Sequence, residues 1–468
     1  MLSSYTTSSL LSGEQQSLLN HISESFTVSD EQLSNIVTRV HAELYRGLSR
    51  SNGGRASELL MGPTFVHQPT ALANTVSLGM AIEATGKRIR IGSVHFGTDN
   101  TVAHKHTQVF TTPATDTRSA AHFFEYVAFC LREFLQQHGL ERHGQSLPLG
   151  VTIGLPVDSR DGVQCSVAEV AKEDSLDLCG SNVGRRLCDA VLRSHLPVHI
   201  TSVTNNVVSS LVAARFADKS TRVAATFNHG INAAYFEQLG NVERLHSAPQ
   251  CSSSDVAINT EIGRFGSKFN ALPLTMWDRR VDRESRSPRS RALEKLVADQ
   301  YLGEIVRSLV TDFIDRQLLF APACEVREIS VPYSFHTAYM APIIEDASGD
   351  LQTVDAVFAA EFGISCSPAD RLIIRTLCEI VATRAARISG AVLAALVLKA
   401  SAKSSTEPVA VALGGVLFDV NPRLLDDTVA TMKKLLLANT ACVQAEIVTQ
   451  GRGDDLVGAA VNAACVMN

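Results

Sequence analysis

The chain has 468 residues, 45% of them hydrophobic and 19% charged, and its formal net charge is −6. This length exceeds what one simple core supports, so we expect two lobes with enough apolar material for buried cores. The negative net charge does not suggest a nucleic-acid surface, and the Arg-rich stretch 278–295 is mixed with acidic residues, as expected for a solvated loop that leads into a helix. Ten cysteines occur without a Cys-x-x-Cys pair, which argues against a zinc site and a disulfide framework and favours a reducing compartment.

The N-terminal segment lacks a basic region followed by a long apolar stretch, so we expect no secretory signal and a cytoplasmic location. Its Ser/Thr-rich composition leaves mitochondrial association open, and nuclear association is a further alternative. No run of 18 apolar residues occurs, so no transmembrane segment is predicted. Residues 1–20 are predicted to be flexible.

The spacing of apolar residues predicts a helix in "SDEQLSNIVTRVHAELYRGL", with Ser29 as its N-cap and Gln32 three residues later. A block rich in strand patterns follows. It contains, in order, the strands "TVSLGMAIEAT", "KRIRIGSVHF" and "TQVFTT", the helix "SAAHFFEYVAFCLREFLQQHG", the strand "LPLGVTIGLPV", the helix "NVGRRLCDAVLRSH" and the strand "VHITSVT".

A second block begins after Asn206 with a similar start. Its predicted elements are a strand-turn-strand in "RVAATFNHGINAAYFEQL", helices over 290–317 and 369–399, a strand with a Gly-Gly turn in "PVAVALGGVLFDV", a helix and the strand "ACVQAEIV". Because both blocks begin with strands and continue with helices, the predicted fold class is α/β, with two related lobes and a cleft between them.

Several stretches resemble the eukaryotic hexokinase family. They are "DVAINTEIGRFGS", "ALEKLVADQYLGEIVRSLV", "FTVSDEQLSNIVTRVHAELYRGLS", "MGPTFVHQPT" and "TRAARISGAVLAAL". The resemblance extends from about Phe26 to the C-terminus and matches one hexokinase unit in length. It implies two actin-like, ribonuclease H-like lobes that flank a central cleft.

The resemblance also implies a division of the chain into five parts. These are a flexible N-terminus (1–20), a large-lobe helix and connector (21–63), a small lobe (64–204), a large lobe (205–445), and a C-terminal strand and helix that return to the small lobe (446–468).

In active members of the family, one carboxylate takes the proton from the sugar 6-hydroxyl, and glycine-rich turns hold the ATP phosphates through backbone N–H groups. The positions that match sugar-binding residues of the family are Asn205, Asn232, Glu261 and Glu294. Two of them have simpler interpretations: Asn205 could cap the helix that follows it, and Glu294 could be a surface residue of a helix.

Other sugar-site positions depart from the family pattern. Asn206 occupies the position of the catalytic Asp, and an amide cannot accept a proton. Gly154 stands where the family has a sugar-binding Ser. The family's Thr-Lys pair falls on Val170 and Ala171, with Lys172 adjacent. The sequence therefore predicts no catalytic residue.

The nucleotide side also departs from the pattern. Its degenerate positions are Glu83, Thr85, Gly86, Lys87 and Arg88 in the first turn, His229 and Gly230 in the second, and Gly414 and Gly415 in the third. Thr85 is a β-branched residue at a glycine position, where a positive φ is disfavoured. Ile231 and Val416 lack the hydroxyl that the family has, and Asp454 and Asp455 bring negative charge toward the expected position of ATP.

These losses resemble those of atypical fungal hexokinase-like proteins that lack kinase activity. We therefore expect a catalytically inactive protein with a regulatory or sugar-sensing role in carbon metabolism, which binds a hexose weakly, a regulatory protein partner, or both. A scaffold whose cleft is unused is also consistent with the sequence. The alternative is an active ATP-dependent hexose kinase of unusual or low activity. Only that alternative calls for Mg-ATP, and no resident cofactor or metal is predicted.

Overall fold

The computed structural model describes most of the chain. The described residues are 10–49, 57–66, 72–98, 101–113, 115, 119–141, 146–168, 178–245, 255–267, 271–322, 324–401, 408–439, 443–451 and 453–465.

Two capped helices open the described chain. Helix α1 (Gly13–Phe26) begins at Ser12, whose hydroxyl and backbone form a reciprocal capping box with Gln15. The expectation that residues 1–20 are flexible is therefore wrong from Gly13 onward, and residues 1–9 lie outside the described part. Helix α2 (Asp30–Leu48) begins with the predicted capping box of Ser29 and Gln32. Strand β1 (Gly62–Thr64) follows.

The small lobe is built on a five-stranded sheet. Its strands are β2 (Val76–Ile82), β3 (Arg88–Phe96), β4 (Val102–Thr111), β5 (Leu147–Ile153) and, after the separate hairpin of β6 (Val157–Ser159) and β7 (Cys165–Val167), β8 (Val198–Asn205). The order is β4-β3-β2-β5-β8, with β2, β5 and β8 parallel and the others antiparallel. Helices α3 (Ala120–Gln137) and α4 (Val183–Arg193) share one apolar core with this sheet. Helix α5 (Asn206–Ala217) follows β8 directly.

The large lobe repeats this arrangement. Its first strands are β9 (Thr221–Phe227), β10 (Ile231–Gln238) and β11 (Asp255–Asn259). Its helices before the next strand are α6 (Met276–Glu284), α7 (Ala292–Val297), α8 (Asp299–Asp315), α9 (Met340–Glu345), α10 (Gln352–Phe362) and α11 (Pro368–Ala400). Then come β12 (Val409–Gly414), α12 (Val416–Val420), α13 (Pro422–Asn439) and β13 (Ala445–Thr449).

The large sheet has the order β1-β11-β10-β9-β12-β13. In both lobes the first strand of the block is central, the next two lie antiparallel on one side, and the last two lie parallel on the other. The prediction of two related α/β lobes is confirmed by this shared order.

Helix α11 forms the centre of the large-lobe core. By length and composition it could cross a membrane, but 78% of its most apolar window is buried inside the protein. It packs against α1, α2, α8 and α13. Its apolar character is therefore explained by burial in the core.

The last helix, α14 (Asp454–Cys465), lies on the small sheet. It rests on glycines that are in register on three strands, Gly79, Gly92 and Gly150. A Cβ on Gly79 would lie 2.2 Å from the Leu456 carbonyl oxygen, and one on Gly150 would lie 1.9 Å from that of Ala459. Strand β13 pairs with β12 in the large sheet, so the expected return of this strand to the small lobe is wrong.

Candidate functional site

The candidate site begins at the carboxyl edge of the small sheet, where Ile82, Ile153 and Asn205 are neighbours in register. Parallel strands bring their carboxyl ends to the same edge. Gly154 comes next after β5, and its N–H donates to the Ile82 carbonyl at 2.9 Å. A Cβ on Gly154 would lie 2.9 Å from the backbone nitrogen of Ala84. The glycine therefore lets the first turn lie directly against the end of β5.

Asn205 is buried, with 2% of its surface exposed. Its Nδ2 donates to the Leu155 carbonyl at 2.9 Å, and its Oδ1 accepts from the Val207 N–H at 3.0 Å, which caps α5. The capping interpretation of Asn205 is thus correct, and the same side chain also faces the other lobe.

Asn206 is the first residue of α5, and its Oδ1 accepts from the same Val207 N–H at 3.0 Å. The two adjacent amides therefore share one backbone donor at the start of the helix. The side chain of Asn206 is therefore folded onto its own helix terminus.

The large lobe meets Asn205 through an amide cluster. Nδ2 of Asn232 lies 3.2 Å from Oδ1 of Asn205, 2.9 Å from Oδ1 of Asn259 and 3.0 Å from Oε1 of Glu261. Nδ2 of Asn259 also lies 3.2 Å from Oε1 of Glu261. We call Asn205, Asn232, Asn259 and Glu261 the interlobe cluster. A side-chain amide has only two hydrogens, so the three acceptors around Asn232 compete for them.

Asn259 was not singled out in the sequence. It stands two residues before Glu261 within "INTEIG", at the end of β11, and it is completely buried. A buried asparagine at a strand end beside a glutamate is the signal that could have found it.

Both glutamates of the site are buried, on different elements of the large lobe. Glu261 has a left-handed backbone with φ of 51° and is 4% exposed, and burial raises the pKa of its carboxyl group. Glu294, on α7, is 7% exposed, and burial also raises the pKa of its carboxyl group. The interpretation of Glu294 as a surface residue is therefore wrong.

Glu294 is held beneath the second turn. Its Oε2 accepts from the Ile231 N–H at 3.3 Å and from Nη1 of Arg291 at 3.3 Å. A Cβ on Gly230 would lie 2.7 Å from the same oxygen, and one on Gly263 would lie 2.9 Å from it. Both glycines therefore leave the room that this carboxylate occupies. Arg291 is a further site residue that the sequence analysis missed.

The first turn, between β2 and β3, is closed by its own hydrogen bonds. The Gly86 N–H donates to the Glu83 carbonyl at 2.8 Å, and the Lys87 N–H donates to Oγ1 of Thr85 at 3.3 Å. Arg88 and Glu83 form an ion pair at 3.5 Å. The positive φ, 67°, falls on Gly86, so Thr85 is not strained there as the sequence suggested.

The second turn carries an exposed histidine. The Asn228 N–H donates to the Gly230 carbonyl at 2.9 Å, which makes the turn tight. Nδ1 of His229 lies 3.5 Å from Oδ2 of Asp299 at the start of α8, while the imidazole is 88% exposed. The hydrogen bond to Asp299 raises the pKa of His229. Asp299 is another residue that the sequence analysis did not single out.

The third turn is joined to the second. Oδ1 of Asn228 accepts from the Val416 N–H at 2.9 Å. Gly415 has φ of 131°, and a Cβ there would lie 2.1 Å from the Phe227 carbonyl oxygen. Gly414 packs against the side chain of Gln450. Only glycine fits the close approach at position 415.

The two aspartates near the C-terminus have partners. Asp455 forms a two-oxygen ion pair with Nη2 of Arg90, at 2.7 and 3.0 Å. Asp454 accepts from the Gly451 N–H at 2.6 Å, and burial raises its pKa. The expectation of uncompensated negative charge facing ATP is therefore wrong for Asp455.

The remaining predicted features are the positions of the Thr-Lys pair and the expectation of no metal site. Val170, Ala171 and Lys172 lie outside the described residues. Within the described part of the chain, no group of three or more His, Cys, Asp or Glu side chains is arranged to hold a metal ion.

The fold and the site together define a two-lobed α/β protein with a buried polar cluster where the lobes meet. Residues 18–216 and 222–465 match two family models, each described as hexokinase. The chain therefore belongs to the hexokinase family.

Curated relatives agree with this assignment. The chain is 28% identical to hexokinase-2 of Candida albicans over 453 residues, covering 95% of this chain and 91% of that protein. It is 28% identical to hexokinase-1 of Saccharomyces cerevisiae over 394 residues, covering 82% and 79%.

Solved structures confirm the predicted fold. The hexokinase from Schistosoma mansoni complexed with glucose superposes with a TM-score of 0.84 at 24% identity, covering 96% of this chain and 99% of that one.

Proposed function

We propose that this hexokinase-family protein binds a hexose at the interlobe cluster without efficient phosphoryl transfer, and that it serves a regulatory or sugar-sensing role linked to carbon metabolism. The observation that carries the proposal is Asn206, an amide whose oxygen is bound to its own helix terminus at the position of the family's base. We propose a cytoplasmic location, with mitochondrial or nuclear association as alternatives.

The chemistry at Asn206 supports low activity. A side-chain amide has no proton-accepting role near neutral pH, and loss of a general base typically costs about 10²–10⁴ in rate. That loss alone would leave a slow enzyme.

The turns support a further loss. Four backbone N–H groups at these turns already donate within the protein: those of Gly86, Lys87, Ile231 and Val416. Glycine-rich turns of nucleotide sites use such groups to hold phosphates. A missing transition-state donor costs roughly 10²–10³ in rate. Mg-ATP therefore fits these turns poorly.

The buried polar residues of the interlobe cluster support hexose binding. Asn205, Asn259, Glu261 and Glu294 are buried polar residues, and Asn232 joins three of them. Buried amides and carboxylates of this kind can exchange hydrogen bonds with sugar hydroxyl groups. A related hexokinase has been solved with glucose.

Two measurements test the proposal together. A coupled assay with ATP and a panel of hexoses should give negligible turnover, and isothermal titration should detect glucose binding with or without Mg-ATP. Turnover near that of ordinary hexokinases would refute the proposal. Absence of both binding and turnover would instead favour a scaffold that uses a protein partner.

The second candidate is an active ATP-dependent hexose kinase of low or unusual activity. Glu83 retains a carboxylate in the first turn, and its negative charge contributes to the raised pKa of His229 in the second. This places a carboxylate and an exposed imidazole on facing turns. Slow turnover that is saturable in both hexose and Mg-ATP would favour this candidate.

A further inference from the structure

The two buried glutamates of the site require a counter-charge. Glu261 and Glu294 are 4% and 7% exposed, and both would be costly to keep ionised without a nearby cation. The negative charge of Glu294 raises the pKa of Glu261 further. Their ability to accept hydrogen bonds from a ligand depends on what balances this charge.

Arg291 is placed to balance both of them. It precedes α7 in a left-handed backbone conformation, with φ of 52°, and its side chain is 23% exposed. Its Nη1 lies 3.3 Å from Oε2 of Glu294. The positive charge of Arg291 lowers the pKa of Glu294 and also that of Glu261, against the effect of burial. Glu261 lies on the same side of the site, because Gly263, two residues after it, packs against Oε2 of Glu294.

The other charged groups around this pair contribute less or are engaged elsewhere. Nζ of Lys295 lies 2.5 Å from Oδ1 of Asp282 and 2.6 Å from the Ser287 carbonyl, so its charge is already paired. Arg264 also lowers the pKa of Glu261. Burial raises the pKa of the neutral Tyr301, and the charge of Glu294 raises it further.

We propose that Arg291 is a positioning residue of the interlobe site, whose guanidinium supplies the shared counter-charge that keeps Glu261 and Glu294 available as acceptors for the hydroxyl groups of a neutral sugar. This inference rests on the hexose-binding site proposed above. One guanidinium serves two carboxylates, so its loss affects both acceptors at once.

The expected effect has a definite sign. An opposite charge within about 4–6 Å lowers a carboxyl pKa by about 1–3 units. Removing Arg291 therefore raises the pKa of both glutamates above their already raised values. Sugar binding that requires both carboxylates to be ionised is therefore lost, as the pH falls, at a higher pH than in the unaltered protein.

The experiment compares Arg291→Gln and Arg291→Lys with the control Arg289→Gln. Arg289 is exposed, lies two residues away and also has a positive φ of 63°. Glucose affinity is measured by isothermal titration from pH 5 to 8. We expect Arg291→Gln to move the midpoint of binding up by about 1–3 pH units, while Arg291→Lys and Arg289→Gln stay near the unaltered protein.

A second measurement separates this inference from the proposed function. The carboxyl carbons of ¹³C-labelled glutamate are titrated by NMR, with Glu261 and Glu294 assigned through Glu261→Gln and Glu294→Gln. Upward shifts of both midpoints in Arg291→Gln support the inference, even if glucose binding fails. Unchanged midpoints overturn it. Should Arg291→Gln not fold, Arg291→Met provides a second neutral variant.

Discussion

Nδ2 of Asn232 lies 3.2 Å from Oδ1 of Asn205, which joins the start of β10 in the large lobe to the last residue of β8 in the small lobe. The same oxygen accepts from the Val207 N–H and so begins α5. One buried amide thus connects the lobes and caps the helix on which Asn206 stands. Several consequences of this geometry can be measured.

Asn205→Ala should destabilise the protein more than loss of an ordinary cap. Removing the cap costs about 1 kcal/mol, and leaving the buried Leu155 carbonyl unpaired costs about 1–3 kcal/mol more. The control is Asn182→Ala, which removes the cap of α4 at a less buried position. Urea unfolding should show the larger loss for Asn205→Ala, and equal losses would contradict the role assigned to its Leu155 bond.

Asn206→Asp should not restore brisk hexose phosphorylation. The N–H groups of the first, second and third turns remain engaged, so a new carboxylate supplies only one missing part. An acidic residue in the first helical turn should stabilise the protein by about 0.3–1 kcal/mol. This gain in unfolding free energy would show that the variant is folded. Asn206→Ala is the control, and a coupled assay is the measurement. Activity of the Asp variant at ordinary hexokinase rates would show that the base alone was missing.

Gly79→Ala should weaken the contact between α14 and the small sheet. Its Cβ would lie 2.2 Å from the Leu456 carbonyl oxygen, and overpacking of this kind typically costs about 1–3 kcal/mol. Gly240→Ala is the matched control, because a Cβ there meets nothing within 4 Å. Urea denaturation midpoints compare the two, and an unchanged midpoint for Gly79→Ala would argue against the close packing.

The titration of His229 should depend on Asp299. The hydrogen bond that the His229 imidazolium donates to Asp299 raises the pKa of His229 above the usual value of about 6.5. The stabilisation from this pair is therefore fully present below that value and is lost as pH rises through the raised pKa. NMR of the imidazole, assigned with His229→Ala, should show a lower midpoint in Asp299→Asn. Asp315→Asn, at the far end of α8, should leave the midpoint in place.

Much of the fold follows from local patterns. The apolar runs in "RVAATFNHGINAAYFEQL" and the helical spacing in "SDEQLSNIVTRVHAELYRGL" locate β9, β10 and α2. The two strands are buried along most of their length, whereas α2 buries one apolar face. Helix α1 was missed although Ser12 and Gln15 form the same kind of capping box as Ser29 and Gln32.

The site was predicted less completely, because its electrostatics depend on residues distant in sequence. Asp455 is paired with Arg90, which lies 365 positions earlier. Asn259 acts through a contact with Asn232 that arises only when β10 and β11 pair in the large sheet. Sequence motifs locate the residues that match a pattern, whereas their partners become visible only in three dimensions.

The row of glycines under α14 also constrains how the polypeptide can be divided. A fragment that stopped at residue 205 would contain every strand of the small sheet but would leave a bare strip of backbone exposed along Gly79, Gly92 and Gly150. Conversely, α1, α2 and β1 belong to the other half of the molecule. Each lobe therefore contains a segment from the opposite end of the chain. Dividing the chain at a single position would leave both lobes incomplete.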